Sequence, residues 1–146
     1  MSTRENLYLP DLMTGLLSAL SLRGVSTLSR RSNRLDLAFE TLFHDVQKEA
    51  KKNNLKVRFR IRTHPIHGDS LEVRQALYEA AQRDLVSFDN PEFQDVRLKI
   101  SSEEALLYLA DLPGSTEMYE RLAEQLMQYY RDQKMTESRE ESAFTR

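Results

Sequence analysis

Seven consecutive residues, Lys56-Val57-Arg58-Phe59-Arg60-Ile61-Arg62, alternate cation with apolar side chain without error. Strand side chains point alternately to two faces, so Val57, Phe59 and Ile61 share one face while Lys56, Arg58, Arg60 and Arg62 share the other. A helix would scatter both sets around its circumference. The stretch is read as a half-buried strand, and its presence makes the chain mixed rather than all-helical.

Around that strand the apolar period is three to four. Upstream, Leu35, Ala38, Phe39, Leu42, Phe43, Val46 and Ala50 trace one helical face from about Asn33 to Lys52, and Asn53-Asn54 suit a left-handed exit. Earlier, Pro10 fits a first helical turn, Leu12, Met13, Leu16, Leu17 and Leu20 follow, and Gly24 is placed to stop the helix. Val25 to Arg34, rich in Ser and Arg, reads as a connector. Downstream, His64 to Asp69 form a loop, and Ser70 or Asp69 caps a helix carrying Leu71, Val73, Ala76, Leu77 and Ala80 to about Asp84. Leu85 to Phe88 is a short strand, Asp89-Asn90-Pro91 a turn, and Val96 to Ile100 a second alternating strand. Ser101 with Glu104 makes a capping box before the apolar run Ala105 to Leu109, Pro113-Gly114 ends that helix, and Ser115 opens the last one. From Thr136 the sequence is polar and aperiodic, so residues 136–146 are expected to be a flexible tail.

The chain has 146 residues, 40% apolar and 30% charged, which fits one α+β domain over residues 1–135 with a single core. Leu12 to Leu22 is the most apolar part of the N-terminal region, but Thr14, Gly15, Ser18 and Ser21 interrupt it; neither a secretory signal nor a membrane span is expected. Zero cysteines exclude disulfides, thiolate metal sites and cysteine nucleophiles, and a cytoplasmic location is expected.

The order helix, strand, helix, strand, turn, strand over about residues 35–101 resembles a winged-helix domain. On that resemblance Val57 to Ile61 is the first strand, Ser70 to Arg83 the helix before the wing, and Leu85 to Ile100 the wing strands around Asn90-Pro91. It implies a winged-helix-like core with a small antiparallel sheet and additional N- and C-terminal helices. One departure is visible: a winged helix has two helices between its first strand and its wing, and His64 to Gly68 leaves room for a turn. In size and element order the chain also resembles the small winged-helix middle subunits of bacterial multi-component ATPase or defence complexes, which implies an accessory role.

Charge is distributed unevenly. Residues 1–68 carry 12 Lys or Arg against 6 Asp or Glu, and residues 69–146 carry 9 against 17, within a net charge of −2. If strands 56–62 and 96–100 share a sheet, Arg97 and Lys99 join Lys56, Arg58, Arg60 and Arg62 on one face. Like charges side by side repel, so such a face calls for phosphates, carboxylates or acidic neighbours. It has four readings: soluble edges kept from aggregating, pairing with the acidic half of the chain, contact with DNA or RNA phosphates, or an acidic protein partner. The helix before the wing exposes Glu72, Gln75, Glu79 and Gln82, which disfavours base reading in a major groove.

No motif for chemistry is found, and no catalytic residue, cofactor or metal is assigned. His64, His67 and Asp69 bring imidazole and carboxylate together in a pattern that matches no metal motif. Adjacent Glu103-Glu104 and Glu140-Glu141 do not face one another on a helix. Gly15, Gly24, Gly68 and Gly114 are too scattered to cradle phosphate. Arg30, Arg31 and Arg34 are candidates to grip an anion. The last helix carries Met118, Tyr119, Leu122, Leu126, Met127 and Tyr130, a stripe that packs the core or, where left open, makes a partner interface at Met118, Tyr119, Leu122, Met127 and Tyr130. The expectation drawn is a non-enzymatic adaptor or accessory subunit binding protein partners, with phosphate-backbone binding through the basic strand as the alternative.

Overall fold

The structure, a computed structural model, describes residues 5–88 and 95–144, with side chains described as far as residue 133. Its elements run β1 (Glu5–Leu7), α1 (Leu9–Leu22), β2 (Thr27–Ser29), α2 (Arg34–Lys52), β3 (Leu55–Val57), α3 (Leu71–Gln82), β4 (Val86–Phe88), β5 (Asp95–Leu98), α4 (Ser102–Asp111) and α5 (Thr116–Phe144). The fold is mixed helix and sheet, as expected.

Helix α1 is the centre of the molecule. Every residue from Leu12 to Leu20 is buried. A helix apolar on all sides has to be enclosed by its neighbours, and α3, α4 and α5 supply that enclosure. Gly15 permits the closest approach: a Cβ there would lie 2.3 Å from Cδ1 of Tyr119 on α5, so the tyrosine ring rests on the α1 backbone. Gly24, at φ +84°, closes α1 as expected; the Val25 N–H donates to Leu20 O at 3.0 Å and the Gly24 N–H to Ser21 O at 3.0 Å. Asn54 at φ 55° does the same for α2, and Asp84 at φ 62° for α3.

Two sheets flank this centre. β1 and β3 pair in parallel, Glu5 opposite Leu55 and Leu7 opposite Val57. The other sheet is antiparallel in the order β2-β5-β4, with Leu28 opposite Val96 and Phe88 also opposite Val96. Val96 is therefore its buried middle.

The sheets correct the expected pairing. The strand expected to open the antiparallel sheet, Val57 to Ile61, is not in it; that place belongs to Thr27–Ser29, inside the stretch read as a connector. With β2 first, two helices, α2 and α3, lie between the first strand and β4. The turn expected at Asp89-Asn90-Pro91 lies outside the described residues. α5 continues to Phe144, past Thr136 where apolar periodicity was lost. No described helix is long and apolar enough to cross a membrane.

Candidate functional site

The alternating segment keeps the facing its sequence dictates. Lys56, Arg58, Arg60 and Arg62 are exposed, Ile61 is buried, and Val57 and Phe59 are half-buried, Phe59 resting 5.8 Å from the ring of Phe43 on α2. Only Leu55–Val57 belongs to the ladder. The Arg58 N–H then donates to Leu7 O at 2.9 Å, and its Nε to Asn6 Oδ1 at 2.9 Å. Beyond it the chain is held by side chains: the Arg62 N–H donates to Glu72 Oε1 at 2.9 Å, and the Thr63 N–H and Oγ1 donate to Glu40 Oε2 at 2.8 and 2.7 Å. The three arginines border an open groove of about 600 Å³ lined by Val57, Arg58, Phe59, Arg60, Arg62 and Glu72. Glu72 Oε1 lies 3.9 Å from Arg62 Nε, an exposed pair of at most about 1 kcal/mol.

Arg97 and Lys99 do not join them. Both are exposed, but they extend from β5 in the other sheet, and Lys99 Nζ bonds Asp84 Oδ1 at 2.6 Å. The six cations thus share no sheet face: Lys56 lies in β3 and Arg97 in β5, with Arg58, Arg60, Arg62 and Lys99 beyond the ends of those strands, because alternation fixes which way a side chain points and says nothing about which strand lies alongside.

Other candidates are consumed by the fold. Arg30 forms a two-point ion pair with the fully buried Asp36, Nε to Oδ1 at 3.1 Å and Nη2 to Oδ2 at 2.9 Å, and the Ser70 N–H donates to the same Oδ2 at 2.8 Å. Ser70 Oγ in turn accepts the Val73 N–H, so one carboxylate joins the end of β2, the start of α2 and the cap of α3. Arg34 donates to Tyr130 O at 2.8 Å and stacks 3.4 Å over its ring. Arg31 Nε is 3.9 Å from Asp95. Arg30 and Arg34 are engaged within the fold, while Arg31 stays exposed.

The His64 and His67 rings stack at 4.7 Å, His64 Nδ1 accepts the Ile66 and His67 N–H groups, and Asp69 pairs with Arg74 at 2.9 Å. His64 Nδ1 is thus occupied by its own loop and Asp69 by Arg74 of α3. Glu104 closes the capping box with Ser101, at 3.2 Å in both directions.

The partner interface expected on the last helix is core. Met118, Tyr119, Leu122 and Tyr130 are buried and Met127 is half-buried, because this face of α5 closes over α1 and α2. The seam between α2 and α5 ends in a cleft of about 350 Å³ lined by charged groups including Asp45, Lys48, Glu49 and Arg121. Two of its carboxylates, Glu49 and Asp45, are already partnered. Glu49 receives two bonds from Arg121 at 2.8 and 3.1 Å, which hold its carboxyl below the ordinary glutamate range, and Tyr129 donates to Asp45 Oδ2 at 2.5 Å, which pushes the phenol up to about 12.

Two exposed faces went unassigned in the sequence. On α3, Leu71 and Tyr78 stand out with Gln75, Glu79 and Gln82, while Arg74 is tied to Asp69 and Arg83 Nη1 donates to Thr14 Oγ1 at 3.0 Å. On α4, Leu106 is 59% and Leu107 71% exposed. Spacing was the available signal: 71, 75, 78, 82 and 103, 106, 107, 110 each recur on one side of a helix. Comparison with protein-family models, with curated proteins and with solved structures found no match.

Proposed function

We propose that this chain is a winged-helix-like adaptor that binds protein partners and performs no chemistry of its own. The element order α1-β2-α2-α3-β4-β5 with sheet order β2-β5-β4 supports the winged-helix reading, since the two helices before the wing that the sequence lacked are α2 and α3. The observation that carries the functional reading is the exposed face of α3. A helix in this place that grips DNA needs outward Arg, Lys, Asn or Gln at base edges and no carboxylates against phosphate. α3 does expose Gln75 and Gln82, but it sets them among Leu71, Tyr78 and the carboxylate of Glu79, and both of its nearby arginines are engaged within the fold. Tyrosine and exposed leucine beside acids are the materials of a protein contact.

A tagged full-length chain, recovered from cells that express it natively, is expected to bring defined proteins with it. Tyr78→Ala with Leu71→Ser reduces that recovery; because Tyr78 packs edge-on against Phe88 at 5.5 Å, the double variant also loses about 1 kcal/mol of stability, and Leu71→Ser alone, at an exposed position, reduces recovery with thermal unfolding nearly unchanged. Recovery of the chain alone after crosslinking overturns the reading.

The groove along Arg58, Arg60 and Arg62, with exposed Lys56 preceding it in the chain, favours a second reading, phosphate-backbone binding without sequence preference. Titrating duplex and single-stranded nucleic acid at several salt concentrations tests it. Phosphate contact gives a steep loss of affinity with salt that Arg58→Glu with Arg60→Glu abolishes; no binding at low salt excludes it.

A further inference from the structure

Helix α4 is apolar on two opposite sides. Ala105 and Leu109 face inward and are buried. Outward, Glu103, Leu106, Leu107, Ala110 and Asp111 are all exposed, and their spacing of three, four, seven and eight residues places them in one stripe. An outward pair of neighbouring leucines gains nothing for the monomer, because both remain in water. The stripe has the shape of a contact: an apolar centre with one carboxylate at each end, about 12 Å apart at the helical rise.

The charges select among occupants. A second copy of the chain laid stripe to stripe places Glu103 against Asp111 when antiparallel, or Glu103 against Glu103 when parallel; both oppose like charges. An anionic lipid surface is repelled by the same carboxylates. A helix with an apolar stripe bounded by Lys or Arg satisfies both ends at once.

We propose, building on the adaptor reading above, that the outward face of α4 docks a cationic amphipathic helix of a partner protein. Leu106 and Leu107 are the anchors, and Glu103 and Asp111 clamp basic residues seven to eight positions apart on the incoming helix. Glu104, held in its capping box, takes no part.

The test is selection of peptides from a random helical display library against the full-length chain, followed by binding measured through a tryptophan in the selected peptide, a clean signal because the chain has none. Enriched peptides are expected to carry apolar residues at helical spacing with Lys or Arg at both ends. Leu106→Ser with Leu107→Ser weakens them by about tenfold or more, and Glu103→Lys with Asp111→Lys shifts selection to acidic ends. Because the substituted side chains are exposed, both variants are expected to unfold near the wild-type temperature, which thermal denaturation checks. No enrichment, enrichment of acidic or uncharged peptides, binding indifferent to the serine variant, or a dimer in sedimentation that the serine variant dissolves each overturns the proposal. Native partners retained by the serine variant overturn this surface and leave the adaptor reading standing; a chain that recovers no partner at all removes both.

Discussion

Substituting Gly15 by alanine separates two effects of opposite sign. Alanine in a helix interior is favoured over glycine by about 1 kcal/mol, so on propensity alone Gly15→Ala stabilises. Packing opposes it. The new Cβ meets Cδ1, Cε1 and Cγ of Tyr119 at 2.3, 2.4 and 2.9 Å, against the roughly 3.5–4.0 Å at which carbon atoms rest. The ring has no room to retreat, being fully buried with its hydroxyl donating to Pro113 O at 2.5 Å. Overpacking of this kind costs about 3 kcal/mol at the upper end of its usual range. The expected net is a loss of about 2 kcal/mol, or roughly 4–8 °C in Tm for a chain of this length. In a Tyr119→Ala background, itself destabilised by about 3–5 kcal/mol, the collision is gone and Gly15→Ala should stabilise by about 1 kcal/mol, giving a coupling near 3 kcal/mol. Urea denaturation followed by far-ultraviolet circular dichroism measures all four corners. A Gly15→Ala chain as stable as wild type, or an equal cost in both backgrounds, refutes the close approach of α1 and α5.

Four further outcomes follow from the described contacts. Asp36→Ala leaves the part-buried Arg30 guanidinium and the Ser70 N–H without their shared partner and should destabilise by about 3 kcal/mol in the same denaturation assay. Ser18→Ala should stabilise by about 1 kcal/mol, since its buried hydroxyl has no hydrogen-bond partner and the substitution removes an unsatisfied polar atom. The depressed Glu49 carboxyl contributes stability that is complete above the unfolded value of about 4.3 and lost as pH falls through the lower folded value; the acid-side decline of the urea midpoint should be shallower in Glu49→Gln. The raised Tyr129 phenol works in reverse, its contribution complete below about pH 10 and lost as pH rises toward 12, and Tyr129→Phe should flatten that alkaline decline.

How much of this was legible in the sequence depended on how many side chains each element commits to the core. α2 and α3 were readable because Leu35 through Ala50 and Val73 through Ala80 repeat over several turns. Helix ends were readable where one residue type decides the backbone, as at Gly24 and Asn54, or where Ser101 and Glu104 cap reciprocally. β1 and β2 escaped notice because each has three residues and buries one, Leu7 and Leu28; a single apolar residue has no period. The facing of Lys56 to Arg62 was correct because it is a local property, and its partner strand was misjudged because pairing depends on residues about fifty positions away. The outer stripe of α4 was hidden inside the run Ala105 to Leu109, where inward and outward apolar residues adjoin. The aromatic stripe of α5 signalled packing and surface equally until its neighbours were known.

The parallel pairing of β1 with β3 has a consequence for the order in which the molecule is made. The strand that completes the ladder of Glu5–Leu7, Leu55–Val57, is synthesised about fifty residues after it. At about 5–20 residues per second the first strand therefore waits several seconds with its edge open. During that interval α1, buried from Leu12 to Leu20 in the finished fold, emerges next to it without the α5 face that will cover it. A core built around α1 and closed by Met118 to Tyr130 of α5 cannot be completed until about a hundred further residues have been made.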